Sequence, residues 1–124
     1  GKIALLGSDI PTLKVEDLDE ALSKKLNKSS HFLSTKDGGF CFMISNDKEV
    51  VQCLRKVKSS TSSVMHSLAE CLGKVEIAKK ILTDVDNILD LRKVYDELKS
   101  VETSLSKEQK DFLHFLKTNE KSFT

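Results

Sequence analysis

Two short groups of carboxylates are the residues of this chain whose type and spacing could do chemistry. They are Glu16, Asp17, Asp19 and Glu20 in the first group, and Asp84, Asp86 and Asp90 in the second. Carboxylates spaced this closely can bind a divalent cation or transfer protons. Acidic residues are also typical of the first turn of a helix, where they interact favourably with the helix dipole. We interpret both groups as helix starts, so the sequence predicts no catalytic residue, no metal site and no cofactor.

Cysteine and histidine side chains offer a second chemistry, a thiol nucleophile with an imidazole base. His66 and Cys71 lie on different sides of the predicted helix, and no local motif links His31 or His114 to a thiol. A thiol-dependent enzyme is therefore the second alternative only. The three cysteines, Cys41 with Cys53 and Cys71, are odd in number, and two have apolar neighbours at helical positions. We expect reduced thiols, and hence an intracellular, reducing compartment such as the cytoplasm.

The common nucleotide and metal signatures GxGxxG, GxxxxGK[ST], CxxC and HExxH are absent from the sequence. The net charge of +1 argues against a protein that neutralises a phosphate backbone. Arg55, Lys56 and Lys58 form the most basic patch, without the interleaved aromatic residues of single-strand binders. We interpret this patch as a solvated face and predict no nucleic-acid partner. No apolar run reaches the roughly 18 residues that cross a bilayer, and contact with a membrane surface is a weaker alternative.

The elements that must position these residues begin with a small β-α-β-β unit over residues 1–45. An apolar run at 2–6 predicts a strand, and apolar residues at helical spacing predict a helix over about residues 14–27. Two further runs, 32–35 and 39–45, flank Asp37-Gly38, a pair that favours a tight hairpin turn. The second of these strands is apolar on both faces, so we expect both of its faces to be covered.

From Val50 to Leu89 apolar residues alternate at steps of four and three, which is typical of a helix packed along one stripe. Poor helix formers at 59–63 and a new start signal at 83–86 are the two places where this helix could be interrupted. Ser106 and Gln109 form a capping-box pattern that starts a last short helix. We predict a helical bundle over 46–118 and a frayed tail over 119–124, in one structural unit.

The sequence therefore predicts a mainly α protein with a small N-terminal α+β element and a long amphipathic helix in a multi-helix bundle or coiled-coil-like assembly. Its predicted function is a non-catalytic scaffold or adaptor that binds a protein partner or a second copy through helix packing. The first alternative is a monomeric helical domain that binds an apolar ligand, a lipid or a membrane surface. The predicted interface residues are Leu54, Val57, Leu68, Val75, Leu82 and Val85, with Phe40 and Phe42.

Overall fold

The structure is a computed structural model, and it describes residues 1–27, 29–57 and 62–124. The described residues form four strands and five α-helices. They are β1 (Ile3–Leu6), α1 (Val15–Leu22), β2 (Ser30–Ser34), β3 (Phe40–Ser45), α2 (Val50–Lys56), α3 (Val64–Cys71), β4 (Val75–Ile77), α4 (Ile88–Ser100) and α5 (Lys107–Thr118). Two short 3₁₀ turns follow the last two helices, at Glu102–Ser104 and Glu120–Ser122.

The strands form one mixed sheet in the order β1-β3-β2-β4. Both β1 and β2 run antiparallel to β3, and β4 runs parallel to β2. Consequently β1, β2 and β4 all point in the same direction, and their carboxyl ends face the same end of the sheet. The element order over residues 1–45 is the predicted one, but β4 comes from residues 46–118, so both stretches of the chain share this sheet.

Strand β3 is buried on both faces, as its apolar composition predicts. On one face Phe42 and Ile44 join Ala21 of α1 and Leu33 of β2 in what we call the α1 cluster. On the other face Met43 joins a second group, the α2–α3 cluster, whose buried members are Phe32, Met43, Val50, Cys53, Met65, Leu68 and Leu72. The sheet is therefore the middle layer, with helices on both sides.

The last two helices pack against each other in a third group, the α4–α5 cluster. Its buried members are Val94, Tyr95, Leu98, Leu105, Leu113, Leu116 and Phe123. The capping box at Ser106 and Gln109 is present, and Gln109 Nε2 also donates to the carbonyl oxygens of Pro11 and Leu13 at 3.0 and 2.9 Å. The tail that was expected to fray is packed, because Phe123 is 5% exposed and its ring contacts Tyr95 edge to face.

The prediction of one long helix from Val50 to Leu89 is wrong, and so is the prediction of a mainly α bundle. Helix α2 ends at Lys56, α3 spans only Val64–Cys71, β4 follows, and the next helix begins at Ile88. Steps of four and three residues suit a short helix as well as a long one, so the pattern does not report length. Val75 and Ile77 are β-branched, and pairing with β2 provides hydrogen-bond partners for their strand. The prediction that the helix continues through residues 59–63 concerns positions that lie largely outside the described residues.

The predicted interface residues lie in this chain's own core rather than along one seam. Leu68 is fully buried in the α2–α3 cluster, Leu82 belongs to the α1 cluster, and Val85 packs against the α4–α5 cluster. The other members are divided in the same way: Phe40, Leu54, Val57 and Val75 pack on the α2–α3 cluster, and Phe42 lies in the α1 cluster. A protein partner or self-association stays a prediction. Among the described residues, no helix has the length and apolar character needed to cross a bilayer.

Candidate functional site

Asp9 lies near the end of the sheet because it belongs to the loop that follows β1. The N–H of Gly7 donates to the carbonyl oxygen of Cys41 at 2.7 Å, which continues the pairing of β1 with β3 past the end of the strand. The carbonyl oxygen of Asp9 then accepts from the N–H of Val85 at 3.0 Å. This bond joins the loop after β1 to a segment that lies far away in sequence.

Asp84 and Asp86 lie in that segment, an extended stretch that runs along the end of β2. The N–H of Leu82 donates to Ser34 O, and the N–H of Lys36 donates to Leu82 O, each at 3.0 Å. Thr83, 2% exposed, donates from Oγ1 to Glu97 of α4 at 3.0 Å. Backbone pairing on one side and a helix side chain on the other thus hold the segment in place.

Three carboxylates meet where these two stretches join. Asp9, Asp84 and Asp86 each bring a side-chain oxygen to within 4.8 Å of the others, and no other such group of histidine, cysteine or carboxylate ligands is found among the described residues. Asp84 is the most enclosed of the three, whereas Asp9 and Asp86 are exposed. We call this group the carboxylate site.

A fourth carboxylate, Asp37, approaches from the hairpin turn after β2. Its Oδ1 accepts from Thr35 Oγ1 and from the N–H of Gly39, and its carboxyl shares a hydrogen bond with Asp84. Gly38 makes this turn possible with φ at +90°, a conformation that L side chains rarely adopt. The hairpin that the sequence predicts therefore has a second role, because it presents Asp37 to the carboxylate site.

Crowding of these carboxylates separates their pKa values. Burial, together with the hydrogen bond and negative charge of Asp37, raises the pKa of Asp84 to about 7. Burial acts to raise the pKa of Asp37 as well, but hydrogen bonds from Thr35, Asp84 and Gly39 outweigh it and hold that pKa below its ordinary value. The pair therefore retains a proton at a higher pH than an isolated aspartate does, as expected when two close carboxylates cannot both ionise freely.

The sequence-based interpretation of the carboxylates is only partly right. Asp17 lies in the first turn of α1 and Asp90 in that of α4, where Asp90 Oδ2 also accepts from the N–H of Asp86. Asp84 and Asp86, however, precede α4, so helix-start charge does not explain them. Sequence reasoning also missed Asp9 and Asp37, although each lies in the turn that follows a predicted strand, which was a usable signal.

The thiols are not arranged for catalysis. Cys53 and Cys71 form a disulfide that joins α2 to α3 with their Cα atoms 5.7 Å apart, so the expectation of three reduced thiols is wrong. Cys41 is 2% exposed, and burial raises its pKa to about 11, which keeps it a thiol rather than a nucleophilic thiolate. Of the predicted basic patch, Arg55 and Lys56 are exposed at the end of α2, and Lys58 lies outside the described residues.

Comparison with known proteins identifies a neighbour in fold. No family model and no curated protein matches the sequence. Among solved structures, the chain is similar to a protein from Desulfovibrio desulfuricans G20 that is provisionally described as a nucleotide-diphospho-sugar transferase. The TM-score is 0.67 at 19% identity, over 98% of this chain and 54% of that chain. The likeness shows the fold alone. This chain spans about half the length of that neighbour.

The fold corrects the functional interpretation. A coiled-coil scaffold or adaptor requires a continuous apolar seam, and the structure replaces that seam with a mixed sheet covered by short helices. The prediction of a non-catalytic scaffold depended on that seam and is corrected with it, and the neighbour in fold is itself described as a transferase. The alternative of a monomeric helical domain with a ligand in its bundle core is overturned by the same sheet.

Proposed function

We propose that this chain forms the cation- and diphosphate-binding part of a transferase that acts on a nucleoside-diphosphate sugar. The observation that carries the proposal is the meeting of Asp9, Asp84 and Asp86. Its position supports the proposal, because ligands of open α/β sheets bind beyond the carboxyl ends of parallel strands, and β1 and β2 both end here. The description of the neighbour in fold supports the substrate class.

The donor set of the carboxylate site suits a hard divalent cation. Three carboxylates supply only oxygen ligands, which Mg²⁺ and Mn²⁺ prefer. Burial and the neighbouring Asp37 raise the pKa of Asp84, so a bound cation would stabilise its ionised form. Asp9, Asp84 and Asp86 would hold the cation. When bound, it would neutralise charge on the diphosphate.

The residues around the cluster position it. Asp37 holds Asp84 through their shared hydrogen bond, and Thr35 and Gly39 hold Asp37. Glu97 of α4 binds both Thr83, at 3.0 Å, and Lys36, at 3.3 Å, so one helix fixes the segment before Asp84 and the end of β2 together. These contacts hold the segment that carries Asp84 in place before a ligand binds, which lowers the entropy cost of binding.

Titration with Mn²⁺ tests the cation site directly. In Asp84→Asn we expect the Kd for Mn²⁺, measured by electron paramagnetic resonance of the free ion, to rise about 10–100-fold. Asp96→Asn is the matched control, because Asp96 is an exposed aspartate of α4 whose ion-pair partner is Lys99 at 3.4 Å. Circular dichroism confirms folding of both variants. Equal Mn²⁺ affinities in the two variants, or no binding by the unmodified chain, would contradict the proposal.

Nucleoside diphosphates test the substrate class separately. We expect uridine or guanosine diphosphate to bind with Mn²⁺ present and much more weakly without it, as measured by calorimetry, because the cation would offset the repulsion between the phosphates and the carboxylates. If Mn²⁺ binds at Asp84 but neither nucleotide binds, the cation site stands and the transferase assignment is wrong.

The compartment is a further open part of the proposal. An intracellular, reducing location stays a prediction, and the disulfide between Cys53 and Cys71 weighs against its reducing part, because such bonds persist in oxidising compartments. The redox state of these two cysteines can be measured by quenching source cells with acid and then labelling free thiols. Labelled Cys53 and Cys71 would support a reducing compartment, and unlabelled ones an oxidising compartment.

A further inference from the structure

A second site lies between α1 and the β4 edge of the sheet. The cleft there has a volume of about 600 Å³. Ala21 of α1, Leu33 of β2 and Ala78 after β4 contribute apolar surface, and charged side chains stand around them. The cleft shares no lining residue with the carboxylate site.

The imidazole nitrogen Nδ1 of His31, which lines this cleft, is buried without a hydrogen bond in the part of the chain that the structure describes. The side chain of His31 is 6% exposed, and among the described residues its Nδ1 has no hydrogen-bond partner. Buried polar atoms are nearly always paired, so this atom points to a ligand that completes it. Glu76 Oε2 lies 3.6 Å from this nitrogen, which is close enough for an ion pair when the imidazole is protonated but too far for a hydrogen bond.

The sheet itself sets the distance between these two side chains. His31 of β2 and Glu76 of β4 are partners in the parallel register, so they project side by side from neighbouring strands. The two neighbouring residue pairs have the same register; they are Ser30 with Val75 and Phe32 with Ile77. The separation of the two ligand atoms is therefore supported by backbone pairing as well as by side-chain rotamers.

We propose that His31 Nδ1 and Glu76 Oε2 bind a zinc ion between them. Imidazole nitrogen and carboxylate oxygen are both zinc ligands, and at bond lengths near 2.1 Å a tetrahedral ion holds two ligands about 3.4 Å apart. The observed 3.6 Å is close to that spacing. An imidazole ligand also favours Zn²⁺, Co²⁺ or Ni²⁺ over Mg²⁺. Water from the cleft would complete the coordination of the ion.

The charges around the cleft accommodate a cation. Its lining contains the carboxylates of Asp17, Glu20 and Glu76, and these balance its three lysines, Lys24, Lys79 and Lys80. Lys80 is already paired with Asp17 Oδ2 at 3.0 Å. A zinc ion therefore enters a region without a large net positive charge, and Glu76, whose side chain is 70% exposed, can adjust its position to bind it.

The chain provides a matched control for this site. His66 and Glu70 on α3 form another histidine–glutamate pair, with Nε2 and Oε1 3.1 Å apart. Both of these side chains are more than 70% exposed, and they already contact each other directly. Surface exposure and side-chain mobility make this pair the weaker zinc ligand, in contrast to the buried imidazole of His31.

Calorimetric titration with Zn²⁺ tests the proposal on the disulfide-bonded protein in excess Mg²⁺. We expect a single zinc site whose Kd rises at least about tenfold in His31→Gln and in Glu76→Gln, and stays unchanged in His66→Gln and in Asp84→Asn. Glu76→Gln keeps the test valid if His31→Gln fails to fold, since Glu76 is exposed. Co²⁺ absorbance reports the nitrogen ligand independently. Loss of binding in His66→Gln or Asp84→Asn alone, unchanged binding in Glu76→Gln, or no zinc binding at all overturns the proposal.

Discussion

The carboxylate site and the His31–Glu76 pair differ in how the chain brings their ligands together. In the carboxylate site Asp9 meets Asp84 and Asp86 across a long separation in sequence, through loops that follow the carboxyl ends of strands. His31 and Glu76 are instead cross-strand partners inside the sheet. The first arrangement depends on turns and loop contacts, whereas the second depends on strand register.

This difference also separates the chemistry of the two regions. Oxygen-only ligands favour Mg²⁺ and Mn²⁺, and a nitrogen–oxygen pair favours zinc and its neighbours. A change in a turn should therefore affect the first region and spare the second. A change that lies in neither region should lower stability without changing either affinity.

The largest expected effect comes from the turn that presents Asp37. In Gly38→Ala the added methyl group would collide with the backbone of Ser62, and the residue would have to keep φ at +90°. We expect a loss of about 3–5 kcal/mol in the free energy of unfolding, measured by denaturant titration. At low temperature, where the fold survives, Mn²⁺ affinity should fall and zinc affinity should not.

Gly73→Ala is the control for this variant. An added Cβ there meets nothing within 4 Å, and Gly73 has no positive φ, so we expect stability to change by less than about 0.5 kcal/mol. Equal stabilities of the two alanine variants would show that the turn does not need glycine. A parallel loss of zinc and Mn²⁺ affinity in Gly38→Ala would show that the two regions are not independent.

Removal of the disulfide should have the next largest effect. Cys53 and Cys71 are separated by 18 residues and belong to neither region. The double variant Cys53→Ala/Cys71→Ser should lose about 3 kcal/mol of unfolding free energy, since the unfolded chain gains loop entropy. Mn²⁺ and Zn²⁺ affinities of the folded variant should be unchanged at 25 °C. A changed affinity would show that α2 and α3 influence one of the regions.

The smallest expected effect is the pH dependence of the carboxylate site. Asp84 must lose its proton to bind a cation, and its pKa is raised to about 7. Mn²⁺ affinity should therefore fall as the pH drops below 7, by up to about tenfold per pH unit. Equilibrium dialysis between pH 8 and 6 measures this, and Asp84→Asn should show a smaller slope. A constant affinity over that range would contradict the raised pKa of Asp84.

Local patterns in the sequence were sufficient where neighbouring residues decide the structure. The hairpin at Asp37-Gly38, the capping box at Ser106 and the buried character of β3 follow from turn chemistry, side-chain capping and apolar composition. The same approach failed from Val50 to Leu89, because the spacing of apolar residues fits several short elements as well as one helix. Pairing of Val75–Ile77 with β2 decided that stretch, and the sequence pattern does not show such a partner.

The candidate sites show the same division. Asp84 and Asp86 are visible as a carboxylate group in the sequence, but their role changed once Asp9 and Asp37 were found beside them. His31 and Glu76 have no shared sequence motif, and only strand register makes them neighbours. The sequence by itself determined the hairpin turn at Gly38, the capping box at Ser106 and the buried character of β3, since these depend on residues close along the chain. Only the tertiary structure decided the sheet order and the meeting of distant ligands, because those depend on backbone pairing between segments that are far apart in sequence.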